Sequence, residues 1–249
     1  MARVTWLFVS LFWTVTTAIH TAKFFAPDNK TKQILNPFVQ LNARSALHCS
    51  MACLDRMNCF TYSVTKGSGS VDCRLSSTYD PQRILNSDSS FYYREVTAAG
   101  YNPVPGTLSY VRTVVDRTKD WPHAEADCET VGGRLAVDNN QQIHDYISQA
   151  IVALGIYAHP AQYYGYFWIG GYSSTDYLHW RLLDGTTVNI TGPGTGPFHA
   201  SEPEAGTNCL EIAVYPVPDP TCCSAKWGGD MCNWISWTSG YFCEIKIPN

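Results

Sequence analysis

Ten cysteines provide the most reactive side chains in this chain of 249 amino acids. They form a crowded group of four and a dispersed group of six: Cys49, Cys53, Cys59 and Cys73, then Cys128, Cys209, Cys222, Cys223, Cys232 and Cys243. Four thiolates could bind zinc, but the C-x3-C-x5-C-x13-C spacing of the first group lacks the paired C-x2-C hooks of zinc sites. An even number of cysteines favours disulfide bonds in an exported chain, which would leave no thiol nucleophile.

Two carboxylates on either side of a proline, Glu202 and Glu204, are the second candidate for chemistry. Glycoside hydrolases use a pair of carboxyl groups, one as acid and one as base or nucleophile. Side chains two residues apart around a proline on a loop make a poor frame for that task. The sequence also lacks His-Glu-x-x-His, Gly-x-Ser-x-Gly and a glycine-rich phosphate loop followed by Lys-Ser/Thr. These patterns predict a binding protein and not an enzyme.

Composition narrows the class of partner. Of the residues, 45% are apolar and 15% charged, and 17 Lys and Arg against 21 Asp and Glu give a formal net charge of −4. No basic run is present, which argues against nucleic acid or an anionic membrane surface as the main partner. Eight Trp and fifteen Tyr indicate a surface that makes aromatic, uncharged contacts.

The amino-terminal segment has the layout of a secretory signal peptide, residues 1–18. Arg3 precedes an apolar run that extends from Trp6 to Val15, and small residues follow up to Ala18. That run is shorter than the ~20 residues of a membrane-spanning helix, and later apolar stretches are interrupted. We therefore expect a soluble, secreted, extracellular protein with no membrane span. Two glycosylation sequons, at Asn29 and Asn189, fit this route.

The cysteine groups divide the mature chain into two parts. Between them, residues 98–107 are rich in Gly and Pro and show no hydrophobic periodicity, which is typical of a linker. We predict a small first domain over residues 23–97 and a larger second domain over residues 108–247. A small domain with a thin core needs disulfide bonds for stability.

In the first domain, one short helix precedes two extended segments. Ser45 is a suitable N-cap for a helix from Ala46 to Arg56, and extended segments follow at Phe60–Val64 and Asp72–Leu75. Two cysteines four residues apart project from one face of this helix. We expect them to pair with the two cysteines near the extended segments.

The second domain shows two helical patterns and several short aromatic strands. Asp120 can cap a helix that has Pro122 in its first turn, and Gly132-Gly133 ends it. A second helix follows Asp138-Asn139-Asn140 and ends at Gly155. Strands and a turn come next: Tyr166–Ile169, Tyr177–Leu182, a turn at Asp184-Gly185 and a final strand within Tyr241–Ile245. The last third is otherwise rich in loops, and the whole pattern predicts an α+β fold.

The stretch from Ser45 to Tyr62, with its three cysteines, resembles the core of the PAN/apple module. That family places one helix over an antiparallel sheet and has nested disulfide bonds. The resemblance implies the pairs Cys49–Cys73 and Cys53–Cys59.

The region from about Tyr110 to Lys246 resembles the C-type lectin-like domain. Several motifs occur in the family's order: Trp121-Pro122-His123-Ala124-Glu125-Ala126-Asp127-Cys128, Gly132-Gly133-Arg134-Leu135-Ala136, Phe167-Trp168-Ile169-Gly170-Gly171, Trp180 with Asp184-Gly185, and Cys232 followed by Tyr241-Phe242-Cys243-Glu244. The resemblance implies two helices, antiparallel strands, a long loop region and the pairs Cys128–Cys243 and Cys209–Cys232. Adjacent Cys222 and Cys223 are left over. They could pair with each other or link to a second chain in a homo-oligomer.

Sugar-binding members of that family hold calcium with a Glu-Pro-Asn or Gln-Pro-Asp loop, an acidic residue before the next cysteine, and a Trp-Asn-Asp triplet. Glu202-Pro203 matches, whereas Glu204 replaces the amide residue and Thr207 stands where an acid is expected. Trp227-Gly228-Gly229 stands in place of the triplet, and Asp230 could substitute only if the loop is shifted. Because Ca²⁺ needs six to eight oxygen ligands, this set predicts at best a weak, incomplete calcium site.

The alternative for Glu202 and Glu204 is that they form a solvated acidic loop around a structural proline, with no binding role. Among the aromatic residues, we expect Trp168 and Trp180 in the core, whereas Trp227 or Tyr215 could stack on the face of a sugar. His199 is expected to be a surface histidine.

We therefore predict an exported recognition protein with two disulfide-stabilised domains, one PAN/apple-like and one C-type lectin-like. It would bind extracellular glycans or glycoproteins through a degenerate calcium site. One alternative is a calcium-independent protein–protein module in which the long loop, residues 192–231, has another use. A third is a matrix component linked through Cys222 or Cys223.

Overall fold

The computed structural model describes residues 24–25, 31–158, 165–174, 176–215, 225–235 and 238–247. The signal peptide, the sequon at Asn29 and the pair Cys222 and Cys223 lie outside these ranges. None of the helices within them is both long and apolar enough to cross a membrane.

The front module consists of one helix, a five-stranded antiparallel sheet and a two-stranded ribbon. The strand order is β1-β7-β4-β5-β3 in the sheet and β2-β6 in the ribbon. The elements are β1 (Phe24–Phe25), β2 (Lys32–Ile34), β3 (Val39–Ala43), α1 (Ala46–Leu54), β4 (Thr61–Lys66), β5 (Val71–Ser76), β6 (Arg83–Leu85) and β7 (Ser89–Arg94). Helix α1 begins after Ser45, whose hydroxyl accepts a hydrogen bond from the His48 amide at 3.4 Å, so the predicted N-cap is confirmed. The helix ends two residues earlier than predicted, at Leu54.

Two disulfide bonds stabilise the front module. Cys49 pairs with Cys73 and Cys53 pairs with Cys59, with Cα–Cα distances of 5.7 and 5.2 Å. All four cysteines are completely buried. The first bond joins α1 to β5, and the second closes the turn after α1, so half of this core is cystine instead of aliphatic side chains.

The rear module is built around one large mixed sheet with two helices beside it. Its main path runs β13-β12-β11-β16-β9-β8, while β10 pairs with β16 and the hairpin of β14 and β15 pairs with β11. The elements are the 3-10 turn η1 (Thr97–Ala99), β8 (Asn102–Pro103), β9 (Ser109–Val114), α2 (Trp121–Thr130), β10 (Arg134–Leu135), α3 (Gln141–Leu154), β11 (Tyr166–Tyr172), β12 (His179–Leu182), β13 (Thr187–Asn189), β14 (Cys209–Val214), β15 (Ala225–Asp230) and β16 (Thr238–Lys246).

Both predicted helices of the rear module are confirmed, together with their caps. Asp120 accepts a hydrogen bond from the His123 amide, and Asn140 accepts one from the Ile143 amide, each at 3.0 Å. Gly155 ends α3 with a φ of 66°, a left-handed conformation that glycine adopts readily. Helix α3 buries the side chains of Ile143, Ile147 and Ile151 against the sheet.

Two further disulfide bonds and two indoles lie inside the rear module. Cys128 pairs with Cys243 and joins α2 to β16, while Cys209 pairs with Cys232 beside the β14–β15 hairpin. Trp168 and Trp180 are 0% and 1% exposed, so both belong to the core, as expected.

The segment predicted as a linker, residues 98–107, is largely part of the rear module. β8 pairs antiparallel with β9, and Tyr101 and Val104 are 0% and 2% exposed. Gly100 and Gly106 turn the chain on either side of β8 with φ values of 82° and 78°. The Gly and Pro residues therefore form turns and an edge strand, for which both residue types are suited.

The long loop predicted over residues 192–231 contains a regular hairpin, which is a correction to the sequence analysis. β14 and β15 pair over six residues without a register shift. Leu210, Ile212 and Val214 on β14 are completely buried in the main core. Apolar residues in this run gain more from joining the sheet than they would from an exposed loop.

The two modules share a core. Phe60, Tyr79 and Val96 of the front module lie in one buried cluster with Tyr101 and Trp168 of the rear module. The ring of Phe60 packs so closely on α2's end that a Cβ at Gly132 would lie 2.6 Å from it.

Candidate functional site

Four carboxyl groups meet at a surface cavity of about 240 Å³ in the rear module. They come from the proline loop, from β14 and from β15: Glu202, Glu204, Glu211 and Asp230. We call this cavity the acidic pocket. Tyr166 on β11, Thr207 and Met231 complete much of its wall.

The proline loop is anchored to the hairpin. The Glu202–Pro203 peptide bond is cis. The carboxylate of Glu202 accepts a hydrogen bond from the Gly229 amide at 3.1 Å, which ties the loop to β15. The hydroxyl of Thr207 donates to the carbonyl of Glu204 at 2.7 Å and closes the loop on itself. The backbone thus holds the first two carboxylates on one side of the pocket.

Two glycines on β15 make room for groups from other elements. A Cβ at Gly228 would lie 2.9 Å from Oε1 of Glu211, and a Cβ at Gly229 would lie 2.7 Å from Oγ1 of Thr207. The carboxyl of Glu211 and the hydroxyl of Thr207 therefore occupy space that side chains at these two positions would need. Asp230 reaches the pocket although the hairpin register is continuous, so no loop shift is required.

The pocket is rich in acids whose pKa values are raised. Burial raises the pKa of Glu202 to about 7; the amide of Gly229 opposes this shift, whereas the charges of Glu204 and Asp230 add to it. Glu211 is 2% exposed, and burial raises its pKa well above the ordinary value, with further contributions from Asp230 and Glu202. Burial also raises the pKa of Asp230. The described residues of the wall include no Lys, Arg or His that could neutralise these acids.

Two carboxylate oxygens of the pocket have no hydrogen-bond partner. They are Oε2 of Glu211 and Oδ2 of Asp230, and both are buried. A buried acceptor without a donor is costly, and such groups are rare in native proteins. A ligand that supplies a hydrogen-bond donor or a positive charge to these oxygens would remove this cost.

The pocket does not form the calcium cage of sugar-binding relatives. Glycine at positions 228 and 229 removes two side-chain ligands, and one oxygen of Glu202 is bonded to an amide. Within the part of the chain that the structure describes, no group of three or more His, Cys, Asp or Glu side chains could hold a metal ion. Glu202, Glu204, Thr207 and Asp230 are brought together, but as the walls of an open pocket.

Trp227 is not a surface for sugar stacking, which corrects that expectation. It is 3% exposed, and its indole N–H donates to Oδ2 of Asp138 at 2.6 Å. Phe198 packs edge-on against it, with ring centroids 5.5 Å apart. Side chains alternate between the two faces of a strand, and the face of β15 that carries Trp227 is turned to the core. Tyr215 stacks on His199 with centroids 4.0 Å apart, and His199 is half-buried by this contact.

Sequence reasoning missed two features of the site. Glu211 is a charged residue inside the apolar run Cys-Leu-Glu-Ile-Ala-Val, a pattern that signals a buried acid with a specific role. Trp234 is 38% exposed, and its amide donates to the carbonyl of the pocket residue Met231 at 2.9 Å. It is thus an exposed indole three residues after a residue of the pocket wall, and an exposed aromatic ring can stack on a sugar.

A second, polar groove of about 390 Å³ adjoins the acidic pocket through their shared wall at Gly206 and Thr207. Ser173, Tyr177 and Asn208 line it, and the buried hydroxyl of Ser173 has no hydrogen-bond partner. The predicted glycosylation site Asn189 lies at the end of β13 with its side chain exposed.

Several solved structures are similar to part of this chain. The C-type lectin domain of murine dendritic cell inhibitory receptor 2, in complex with N-glycan, is 19% identical, with 59% of this chain and 96% of that one covered at a TM-score of 0.42. The cow carbohydrate-recognition domain of CD23, with a GlcNAc2Man3 oligosaccharide, is 18% identical, with 60% and 95% covered at 0.42. A calcium-independent type II antifreeze protein is 21% identical, with 59% and 92% covered at 0.40.

Comparison with curated protein sequences yields no match. The family model of the lectin C-type domain, by contrast, matches residues 117–244. This match spans more than half of the chain and includes α2, α3, the hairpin and most of β16. The chain therefore belongs to the C-type lectin domain family.

Proposed function

We propose that this protein recognises extracellular glycans at the acidic pocket and does so without a complete calcium site. The observation that carries the proposal is the convergence of the proline loop, β14 and β15 on one accessible cavity of about 240 Å³ in a lectin-type domain. Carboxylates accept hydrogen bonds from vicinal sugar hydroxyls, and the exposed indole of Trp234 offers an apolar face for a sugar ring.

Calcium has a minor part in this proposal. The donor atoms of the pocket are hard oxygens, which suit calcium chemically, but glycine replaces two of the side-chain ligands. We infer a degenerate site at which any calcium is weakly held and glycan binding survives its removal. The lectin C-type family membership supports recognition as the task of the domain, and nothing in the pocket provides an acid–base pair of the glycosidase type.

We also propose secretion, glycosylation at Asn189 and a PAN/apple identity for the front module. The four disulfide bonds support an oxidising destination. A single helix over an antiparallel sheet, with α1 linked to β5 by Cys49–Cys73, supports the module assignment. The domain limits stay predictions, and Val96 and Tyr101, on either side of η1, belong to the shared core.

Affinity chromatography tests the proposed function. The full secreted chain is applied to immobilised glycans in calcium, then washed with a chelator and eluted with free sugar. We expect retention through the chelator wash, and about tenfold weaker binding for Glu202→Gln because the charge that accepts sugar hydroxyls is reduced. Glu129→Gln, the same chemical change at an exposed residue of α2, is the matched control and should bind normally.

Elution by the chelator would instead show a functional calcium site, contrary to the proposal. Absence of retention on every glycan would favour the protein–protein alternative. Non-reducing electrophoresis tests the alternative of a matrix component. An interchain disulfide bond through Cys222 or Cys223 would give a dimer band that disappears on reduction.

A further inference from the structure

Among the described residues that line the acidic pocket, no cationic side chain balances the acids. Glu202 and Glu204 face the cavity from the proline loop, Glu211 from β14 and Asp230 from β15. The other titratable groups that act on them are the phenols of Tyr166 and Tyr215, which are neutral at physiological pH. Buried carboxylates normally have a cationic partner, because removing an unpaired charge from water is unfavourable.

Glu211 is the observation that points to a ligand. Its side chain lies in the pocket wall, the residue is 2% exposed, and its Oε2 has no hydrogen-bond partner. The carboxyl lies over Gly228 of β15, where an added Cβ would come within 2.9 Å of its Oε1. A buried, isolated carboxyl is tolerated only if it is protonated or if a partner compensates its charge.

The size of the pocket decides between an ion and a molecule. Its volume of about 240 Å³ holds about eight water molecules at ~30 Å³ each, which is far more than one bare metal ion requires. The carboxylates line the walls without converging on one metal position in the described chain. A compact organic group with N–H donors uses these separate oxygens better than a single ion does.

We propose that the acidic pocket binds the protonated amino group of an amino sugar, with Glu211 and Asp230 as acceptors for its N–H donors. An alkylammonium carries three donors and a compact positive charge, so it can satisfy both orphan oxygens and neutralise part of the cluster. The inference rests on the proposed glycan function and names the class of sugar. It also assigns a binding role to Glu211, whose position is not part of the family's calcium-binding pattern.

Calorimetry of the full chain with glucosamine and N-acetylglucosamine, in chelator at pH 7, tests the proposal. The two sugars share a ring, but only the first has a cationic nitrogen. We expect glucosamine to bind at least about tenfold more tightly, because only its nitrogen carries a positive charge for the carboxylates. Glu211→Gln should remove this preference, whereas the control Glu129→Gln should keep it. Gly228→Ala, whose Cβ would displace the Glu211 carboxyl, is the second variant if Glu211→Gln fails to fold.

Each other outcome overturns the inference. Equal binding of both sugars, unchanged by Glu211→Gln, would reject the ammonium site and leave the proposed glycan function intact. Binding that appears only when calcium is added would show a metal site instead. Failure of the chain to bind either of these sugars or any immobilised glycan would reject the inference and the glycan function together.

Discussion

The cores of the two modules consist of different residue types. In the front module, four of the eight buried residues of the main cluster are half-cystines. In the rear module, the largest cluster has nineteen buried residues, all aliphatic or aromatic and none of them cysteine. Packing of many apolar side chains can stabilise a domain by itself, whereas a small core depends on covalent links.

The module with the larger apolar core also contains the buried acid of the acidic pocket. The acidic pocket, with its buried Glu211, lies in the rear module, beside the large cluster that contains Ile212 and Trp227. A domain with surplus apolar burial can tolerate one poorly solvated carboxyl, since sites for binding are often less than optimal for stability. The front module has no buried carboxyl of this kind among its described residues, and Thr61 and Ser63 are neutral, but Nη1 of Arg83 is buried there without a hydrogen-bond partner.

The largest expected effect comes from removing a front disulfide. Replacing both Cys49 and Cys73 by Ala should lower the free energy of unfolding of the front module by about 3 to 4 kcal/mol, because the 24-residue separation is no longer closed in the unfolded chain. We expect a separate low-temperature transition in calorimetry while the rear module keeps its own. A single transition at the original temperature would show that the two cores do not differ as described.

The contact between the modules is the next test. Phe60 is 6% exposed, stacks on Tyr79 with centroids 5.3 Å apart, and packs against Gly132 of the rear module. Phe60→Ala should destabilise the protein by about 3 kcal/mol and split one cooperative unfolding transition into two. The exposed Phe38, 41% accessible, provides the control, since Phe38→Ala should change the melting profile little.

A buried polar pair tests the rear core. Trp227→Phe keeps most of the apolar contacts but removes the N–H that donates to Asp138. The loss should be about 2 kcal/mol, measured by chemical denaturation, because the carboxylate of Asp138 keeps only its contact with His144 at 2.7 Å. A change below 0.5 kcal/mol, an ordinary value for surface substitutions, would mean that the hydrogen bond is not needed.

The smallest effect concerns pH. The pKa of Glu202 is about 7 in the folded protein instead of its ordinary 4.5, so the folded state holds more protons between these two pH values. Stability should therefore fall as the pH rises through this window, by about 1 kcal/mol after allowance for solvent screening. Melting temperatures at pH 5 and pH 8 should differ less in Glu202→Gln than in the unchanged protein. An equal difference in both would place the titration elsewhere.

Local signals predicted much of the fold. The caps Ser45, Asp120 and Asn140 act over three residues, so neighbouring sequence alone determines them. Residues 98–107 and 192–231 were assigned less well, because Gly and Pro mark turns equally in linkers and in edge strands. Whether such a segment joins a sheet depends on the surface available to it.

Motif order and cysteine spacing are properties of the chain, so they identify a lectin C-type domain and a cysteine-rich module before it. The composition of the acidic pocket follows instead from the three-dimensional structure. The strand register pairs Gly228 with Glu211 and turns Trp227 inward, and the hydroxyl of Thr207 lies over Gly229. Which face of a strand a residue occupies follows from long-range pairing, and for that reason the central acid of the pocket was not foreseen.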